Sequence, residues 1–287
     1  MSSGAPAADA AAFCADLVRT HDFARYAATL FVPANERRAL LALYAFNAEI
    51  VRIRDQVTQP LPGEIRLQWW TDMLAGHVHG GAEGNPVAAE LLVAIRDYDL
   101  PVEPLSRLVE EHQFDLYNDP MPTMAALEGY LTETCSALLS LAARICARPS
   151  EAIDHLARHA GLAQGMVQVI ANLPRDAAHR QLFVPQQLLE GHGSTIEEVF
   201  AGKETPTLRA VLDELTSEAR KHIATATSLL AEIPPPARLA FLPLAAARRD
   251  LARLSRADRN SFLLAPPSRL GTLWTLWRAS RSRQFTK

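Results

Sequence analysis

The sequence predicts an all-α protein, a bundle of about ten helices, and three observations carry that prediction. Apolar residues recur at helical spacing along nearly the whole chain. Runs that alternate apolar and polar residues, as a half-buried strand would, are nearly absent. Prolines and capping residues fall between the periodic stretches, where helices begin and end. With 287 residues, 48% of them hydrophobic, the chain can bury a substantial core. No linker-like stretch divides it, so residues 1–287 read as one domain.

Taken in order, Leu40, Leu43, Tyr44, Ile50 and Val57 give the first clear apolar stripe, on a helix that includes Tyr44 to Val57. Glu64 to Leu74 follows Pro60 and Pro62 and turns Leu67, Trp70 and Leu74 toward a core. Gly76 to Pro86 holds four glycines and reads as a surface loop. Asn85-Pro86 opens a helix from Val87 to Tyr98, and Pro101 and Pro104 start another that ends near Asn118. Thr123 caps a long helix to Ala147. Ser150 caps the next, which Pro174 is expected to stop near Leu173. Phe183 to Gly193 is irregular with one helical turn, and Ser194-Thr195-Ile196-Glu197 has the form of a capping box leading to Phe200. Thr207 to Ile233 is amphipathic, Pro234 to Pro236 a rigid turn, Arg238 to Arg256 a further helix, and the last helix starts near Pro267.

Two of these helices carry polar faces. In YAFNAEIVRIRD, Asn47, Val51 and Asp55 recur every four residues and share one face. In GLAQGMVQVIANLPRD, Gly161, Gly165, Gln168 and Asn172 share another, with Asp176 just beyond Pro174. Facing helices with spaced carboxylates are the way to gather magnesium around a diphosphate, because magnesium yields its waters only to hard oxygen ligands. Here half the carboxylates are missing, and Val51 and Asn172 stand where they would be.

These segments, with LFVPQQLL (Leu182 to Leu189) downstream, resemble the squalene/phytoene synthase family. The resemblance implies an isoprenoid-synthase-like helical bundle and head-to-head joining of two prenyl diphosphates, with magnesium held by two Asp-x-x-x-Asp motifs. Laid on this chain, the motifs fall on Val51 and Asp55, with Arg52 where the family often has another aspartate, and on Asn172 and Asp176. The stretches VRTHDFARYAATLFVP, YAFNAEIVRIRDQV, IRLQWW and YLTETCSALLSLAARI are similar in order and spacing to the mitochondrial complex I assembly factor 6 branch of that superfamily. That branch carries FN-x-E-(I/L), here Phe46 to Ile50, and is thought to be noncatalytic. The implied partner is a complex I subunit or assembly intermediate. An active synthase, with Asp55 and Asp176 holding magnesium, is the alternative.

The residues themselves leave two readings of Asp55 and Asp176. They hold one magnesium between their helices, or each accepts hydrogen bonds from a neighbouring arginine, Arg52 or Arg54 for Asp55 and Arg175 or Arg180 for Asp176. Two carboxylates are too few for a cluster of several ions, which argues for the second reading. On the cavity side, Arg52 could bind a phosphate directly, so a lipid or isoprenoid ligand held without metal stays open. Asn47 is expected to point inward and hydrogen-bond a neighbouring helix, and Glu49 to pair with Arg37, Arg38 or Arg52. Gly161 and Gly165 each cost roughly 1 kcal/mol in a helix; close helix packing and a groove for a chain-like ligand explain them equally well. No residue is assigned a catalytic role.

Other chemistries are excluded. His155-Leu-Ala-Arg-His159 lacks the glutamate of a zinc protease, and His77-x-His79 has no acidic or cysteine partner in ligand spacing. There is no G-x-S-x-G, and Cys135 lies mid-helix in an apolar stretch. Cys14, Cys135 and Cys146 are too few and scattered for a disulfide framework, which suits a reducing compartment. Leu239 to Ala247, the longest candidate span, is short and broken by Pro243. The N-terminus resembles neither a signal nor a transit peptide, so a cytoplasmic location of bacterial style is expected.

Charge is unevenly distributed. Residues 248–287 hold ten Lys/Arg and two Asp, whereas the other 247 residues hold 19 basic and 30 acidic groups, so a basic arm extends an acidic body. Arg249, Arg253 and Arg256 recur at helical spacing, and Trp274 and Trp277 lie beside Arg278. This pattern suits peripheral docking on an anionic surface, at the inner membrane or on a partner. Nucleic acid is disfavoured, since no reading motif is present.

Overall fold

The computed structural model describes residues 4–77, 84–256, 260–263 and 265–286. The chain is 79% helical, and no strand occurs among the described residues. In order the α-helices are α1 (Gly4–His21), α2 (Phe23–Thr29), α3 (Ala34–Gln56), α4 (Pro60–Leu74), α5 (Pro86–Tyr98), α6 (Val102–Glu111), α7 (Met124–Leu131), α8 (Ala137–Cys146), α9 (Glu151–Ala178), α10 (Gln186–Gly191), α11 (Ile196–Phe200), α12 (Pro206–Leu229), α13 (Pro235–Arg238), α14 (Pro243–Leu254), α15 (Arg269–Ser280) and α16 (Arg283–Thr286). Residues 78–83, which include His79 and much of the glycine-rich loop, lie outside the described residues.

The bundle is organised around α3 and α9. Helix α9 packs along α12 and against α8, while α3 packs against α1, α5 and α8. Both are amphipathic in the sense needed for a shared interior: Leu40, Leu43, Tyr44, Phe46 and Ile50 of α3 and Leu162, Met166, Ile170 and Leu173 of α9 are all buried. They belong to one continuous apolar core that also takes in Leu67, Trp70 and Leu74 of α4.

Several boundaries differ from expectation, each for a local reason. Prolines 60 and 62 stand in the first turn of α4, where a missing N–H costs nothing, so the helix begins four residues before Glu64. Pro235 and Pro236 likewise form the first turn of α13. The capping box is one residue later than read: the Thr195 hydroxyl accepts from Glu198 N, and the Glu198 carboxylate accepts from Thr195 N. Pro174 does not end α9. It removes one backbone hydrogen bond, but Leu173 and Ala177 on either side bury in the core and carry the helix onward. The stop comes at Arg180, which takes up a left-handed conformation at φ +56°. Asp176 is therefore on the helix, not past it.

The expected helix from Thr123 to Ala147 is interrupted by a π-helical turn, Thr132–Ser136, between α7 and α8. Such bulges widen the helix and re-aim side chains, and they often mark functional positions. The packing explains Gly161: a Cβ there would come 2.4 Å from Ser136 Cα and 2.5 Å from Ser136 N, so only glycine lets α9 approach the π turn. Close packing, not a ligand groove, accounts for this glycine.

A central cavity between the two polar faces

The polar faces of α3 and α9 meet across a cavity of about 140 Å³. Asn47, Val51 and Asp55 line it from α3, and Gly165, Gln168, Asn172 and Asp176 from α9. Seven of the nine candidate residues are thus brought together. Gly161 is buried against Ser136, away from the lining. Arg52 is also outside: its guanidinium turns back along α3 to Glu49, at 3.4 Å. Asn47 faces the cavity, but its amide makes no hydrogen bond among the described residues, contrary to the expected bond to a neighbouring helix. Gly165 does both jobs considered for it, lining the cavity while pressed on Leu131, whose Cδ2 would meet an added Cβ at 2.4 Å.

At the mouth the decisive contact joins the helices. One amino group of Arg175 donates to both carboxylate oxygens of Asp55, at 2.7 and 2.6 Å. The partner of Asp55 is therefore neither Arg52 nor Arg54 but a cation from the opposite motif. Arg54 instead reaches the Asn118 side chain at 3.0 Å and the His179 carbonyl at 3.4 Å. Asp176 receives no side-chain hydrogen bond among the described residues. Burial pushes its carboxyl up to about 7, with Asp115 and Asp55 adding to the rise while Arg175 and His179 oppose it.

Deeper in lies a polar triad that sequence reasoning missed. His112 Nδ1 sits 2.7 Å from Asp115 Oδ2, and the Tyr130 hydroxyl donates to Asp115 Oδ1 at 2.8 Å. Burial and Asp115 hold the Tyr130 phenol well above its ordinary range, so it remains a donor. Arg25, 4% exposed, is paired with Asp22 at 2.6 Å and contributes another wall. Phe183 packs on Tyr130 with ring centroids 5.6 Å apart, and its segment is pinned by Met121 N donating to the Leu182 carbonyl. Five buried polar atoms lining this space lack partners among the described residues: Arg25 Nε, Arg54 Nε, His112 Nε2 and both amide atoms of Gln181. Each such atom costs roughly 1–3 kcal/mol if left dry, so the cavity is built to hold water or a small polar group. These residues come from separate stretches of chain, and no local spacing links them.

Residues 18–279 match the family model described as squalene/phytoene synthase. The chain belongs to that family. A relative from Bos taurus described as NADH dehydrogenase (ubiquinone) complex I, assembly factor 6 is 30% identical over 260 residues, covering 91% of this chain and 78% of that one. A presqualene diphosphate synthase from Rhodopseudomonas palustris is 25% identical over 210 residues, covering 73% and 75%. A solved dehydrosqualene synthase in complex with ligand superposes with a TM-score of 0.81 at 16% identity, over 96% of each chain, which shows the shared fold.

Elsewhere, His159 Nδ1 lies 2.8 Å from His222 Nδ1, with the His155 ring edge-on to His159, away from the cavity. In the basic arm, the arginines singled out from sequence divide. Arg249 bonds Asp250, Thr272 and Thr275, and Arg253 donates to the Ala265 carbonyl, so both serve internal packing and not docking. The Arg256 carbonyl accepts from Arg209. Arg278, Trp274 and Trp277 are exposed. No helix among the described residues is long and apolar enough to cross a membrane.

Proposed function

We propose that this chain is a noncatalytic member of its family that assists assembly of respiratory complex I, acting through protein contacts. The observation that carries the reading is the Arg175–Asp55 pair: a guanidinium occupies both oxygens of the carboxylate that a synthase would give to metal. Val51 and Asn172 remove two more anionic ligands, and the raised Asp176 carboxyl is a poor one. Among the described residues no group of three or more His, Cys, Asp or Glu is placed to hold an ion. The residues present therefore do not fit a magnesium cluster, and the reading needs no cofactor. Similarity to the assembly factor 6 relatives supplies the complex I partner.

The cavity's size points the same way. Pockets for drug-sized ligands run to roughly 300–1,000 Å³, and an engineered cavity of about 150 Å³ takes benzene. At about 140 Å³ the cavity is nearer to the benzene-sized one than to a pocket for a drug-sized ligand. Three unpaired cysteines suit the cytoplasm, and the basic arm suits contact with the inner membrane.

Deleting the gene is expected to lower assembled complex I and NADH-linked respiration; unchanged levels of both would overturn the proposal. The retained Asp55 and Asp176, and the similarity to a presqualene diphosphate synthase, keep a second reading, a head-to-head prenyl transferase. Incubation with farnesyl or geranylgeranyl diphosphate and magnesium separates the two, since pyrophosphate release with a C30 or C40 product belongs only to the transferase.

A further inference from the structure

A second cleft, of about 390 Å³, opens between the end of α12 and helices α14, α15 and α16. Arg248 stands on one side and Arg278 on the other, with Trp274, Thr275 and Gln284 between them. Both arginines are exposed, and neither has an ion-pair or hydrogen-bond partner among the described residues. The acid on the same helix as Arg248, Asp250, is held by Arg249 at 2.9 Å and Arg253 at 3.6 Å. Among the described residues that line the cleft there is no acid to neutralise the two guanidinium groups.

Helix α15 extends the cleft into a face. Its inner side is anchored by Thr272 and Leu276, which are 4% and 0% exposed. Its outer side carries Leu270, Trp274 and Trp277 at spacings of four and three, which puts them in one stripe. Leu270 is 80% exposed, Trp274 60% and Trp277 37%. The two indoles stack with centroids 4.9 Å apart, and the Arg281 guanidinium lies 4.4 Å from the Trp277 ring. This apolar stripe, bordered by Arg278 on the helix and Arg281 at its C-cap, stays exposed among the described residues.

We propose that this α15 face is a docking surface for an anionic lipid bilayer, with Arg248 and Arg278 holding a lipid phosphate and Leu270, Trp274 and Trp277 seated at the headgroup level. Charge complementarity favours a lipid surface as the occupant: the arm is strongly basic, whereas the rest of the chain carries a net negative charge. The stacked tryptophans beside arginine decide between lipid and an acidic protein segment. Indoles favour the water–hydrocarbon boundary, and guanidinium pairs bind phosphate in a fork. This deepens the peripheral placement stated above and does not depend on the assembly role.

The test is flotation of the purified full chain with vesicles of phosphatidylcholine containing a quarter phosphatidylglycerol, against phosphatidylcholine alone. Binding to the anionic vesicles alone is expected, weakening with salt, with a blue shift of tryptophan emission. Arg248→Gln/Arg278→Gln should weaken it at least tenfold, at about fivefold per charge removed. Trp274→Ala/Trp277→Ala should abolish the blue shift, with thermal melts confirming that both variants fold. Equal binding to neutral vesicles, no binding to either, indifference to both variants, or capture of polyglutamate in place of lipid would each overturn the proposal. A chain that fails here while gene deletion still lowers complex I loses only its docking face, and the converse result loses only its assembly role.

Discussion

At the mouth of the central cavity Arg175 spans two helices to satisfy Asp55, whereas Arg248 and Arg278 line a C-terminal cleft that no acid lines among the described residues. Both regions are lined by arginine, yet one spends its cations on its own carboxylates and the other leaves them open. The inner site also has little room, about 140 Å³ against about 390 Å³. On the proposed reading, Arg175 stands where a synthase would hold a cation between its carboxylates, and it ties α3 to α9.

The sharpest way to break this comparison is to attack the packing of α9 on the π turn, a wall that stands apart from the cavity lining but positions the helix that carries it. If that wall is a rigid backbone contact, Gly161→Val forces a side chain into the Ser136 backbone, 2.4 Å from an added Cβ, and neither element can yield cheaply. Overpacking of this kind costs about 3 kcal/mol or more. A thermal melt should fall by roughly 10 °C, at about 2–4 °C per kcal/mol for a chain of this size. Gly129→Ala is the control: nothing lies within 4 Å of its added Cβ, and the helix should hold or gain about 0.5–1 kcal/mol. Equal losses at both glycines would show that the wall is not special.

Restoring the missing carboxylates sharpens the comparison from the chemical side. The triple variant Val51→Asp, Asn172→Asp, Arg175→Gln supplies four acids and frees Asp55. Magnesium at a hundredfold excess over its dissociation constant should then raise stability by about 2.7 kcal/mol, read as a melting shift. The parent chain should show no such shift, because its own guanidinium holds the site. A magnesium-dependent shift in the parent would sink the idea that Arg175 has replaced the metal.

Much of this contrast could be read from sequence, and the unread part has one cause. The shared face of Asn47, Val51 and Asp55, and that of Gly165, Gln168 and Asn172, follow from helical spacing alone, and the structure aligns them across one cavity. What spacing could not supply is pairing between helices: Arg175 reaching Asp55, or His112, Asp115 and Tyr130 forming a triad, depends on tertiary approach. The π turn at Thr132–Ser136 has no compositional mark of its own. The sole clue was Gly161, an unfavourable helix residue whose justification lies on another element. Pro174 misled for a related reason, since core burial around it outweighs one lost hydrogen bond.

A smaller effect concerns the proton on Asp176. Burial raises its carboxyl from the ordinary value to about 7, so between about pH 4 and 7 the folded chain holds a proton that the unfolded chain has released. Stability therefore falls as pH rises through that window and stays lower above it. Asp176→Asn should flatten this slope and stabilise the chain by about 1–3 kcal/mol at pH 8, discounted for the partial exposure of the group. Denaturant titrations at pH 5 and pH 8 measure both quantities. A slope that survives the substitution would place the titrating group elsewhere, with Glu111, whose carboxyl burial also raises, as the next candidate; His159 and His222, lowered by burial, would tilt the curve the other way.

The smallest effect separates arginines that sequence could not tell apart. Arg249 and Arg278 both lie in the basic arm, but Arg249 is tied to Asp250 and donates to Thr272 at 3.1 Å and Thr275 at 3.4 Å, joining α14 to α15. Replacing it with glutamine leaves the half-buried Asp250 with Arg253 alone, at a cost of about 1 kcal/mol. Arg278→Gln removes a charge that has no hydrogen-bond or ion-pair partner among the described residues, so stability should stay within about 0.5 kcal/mol. If the two substitutions destabilise equally, Arg278 is bound internally and the outer cleft is neutralised like the inner one. If only Arg249 matters to stability, evolution has kept an unpaired cation at no benefit to folding, and its reason for being there lies outside the chain.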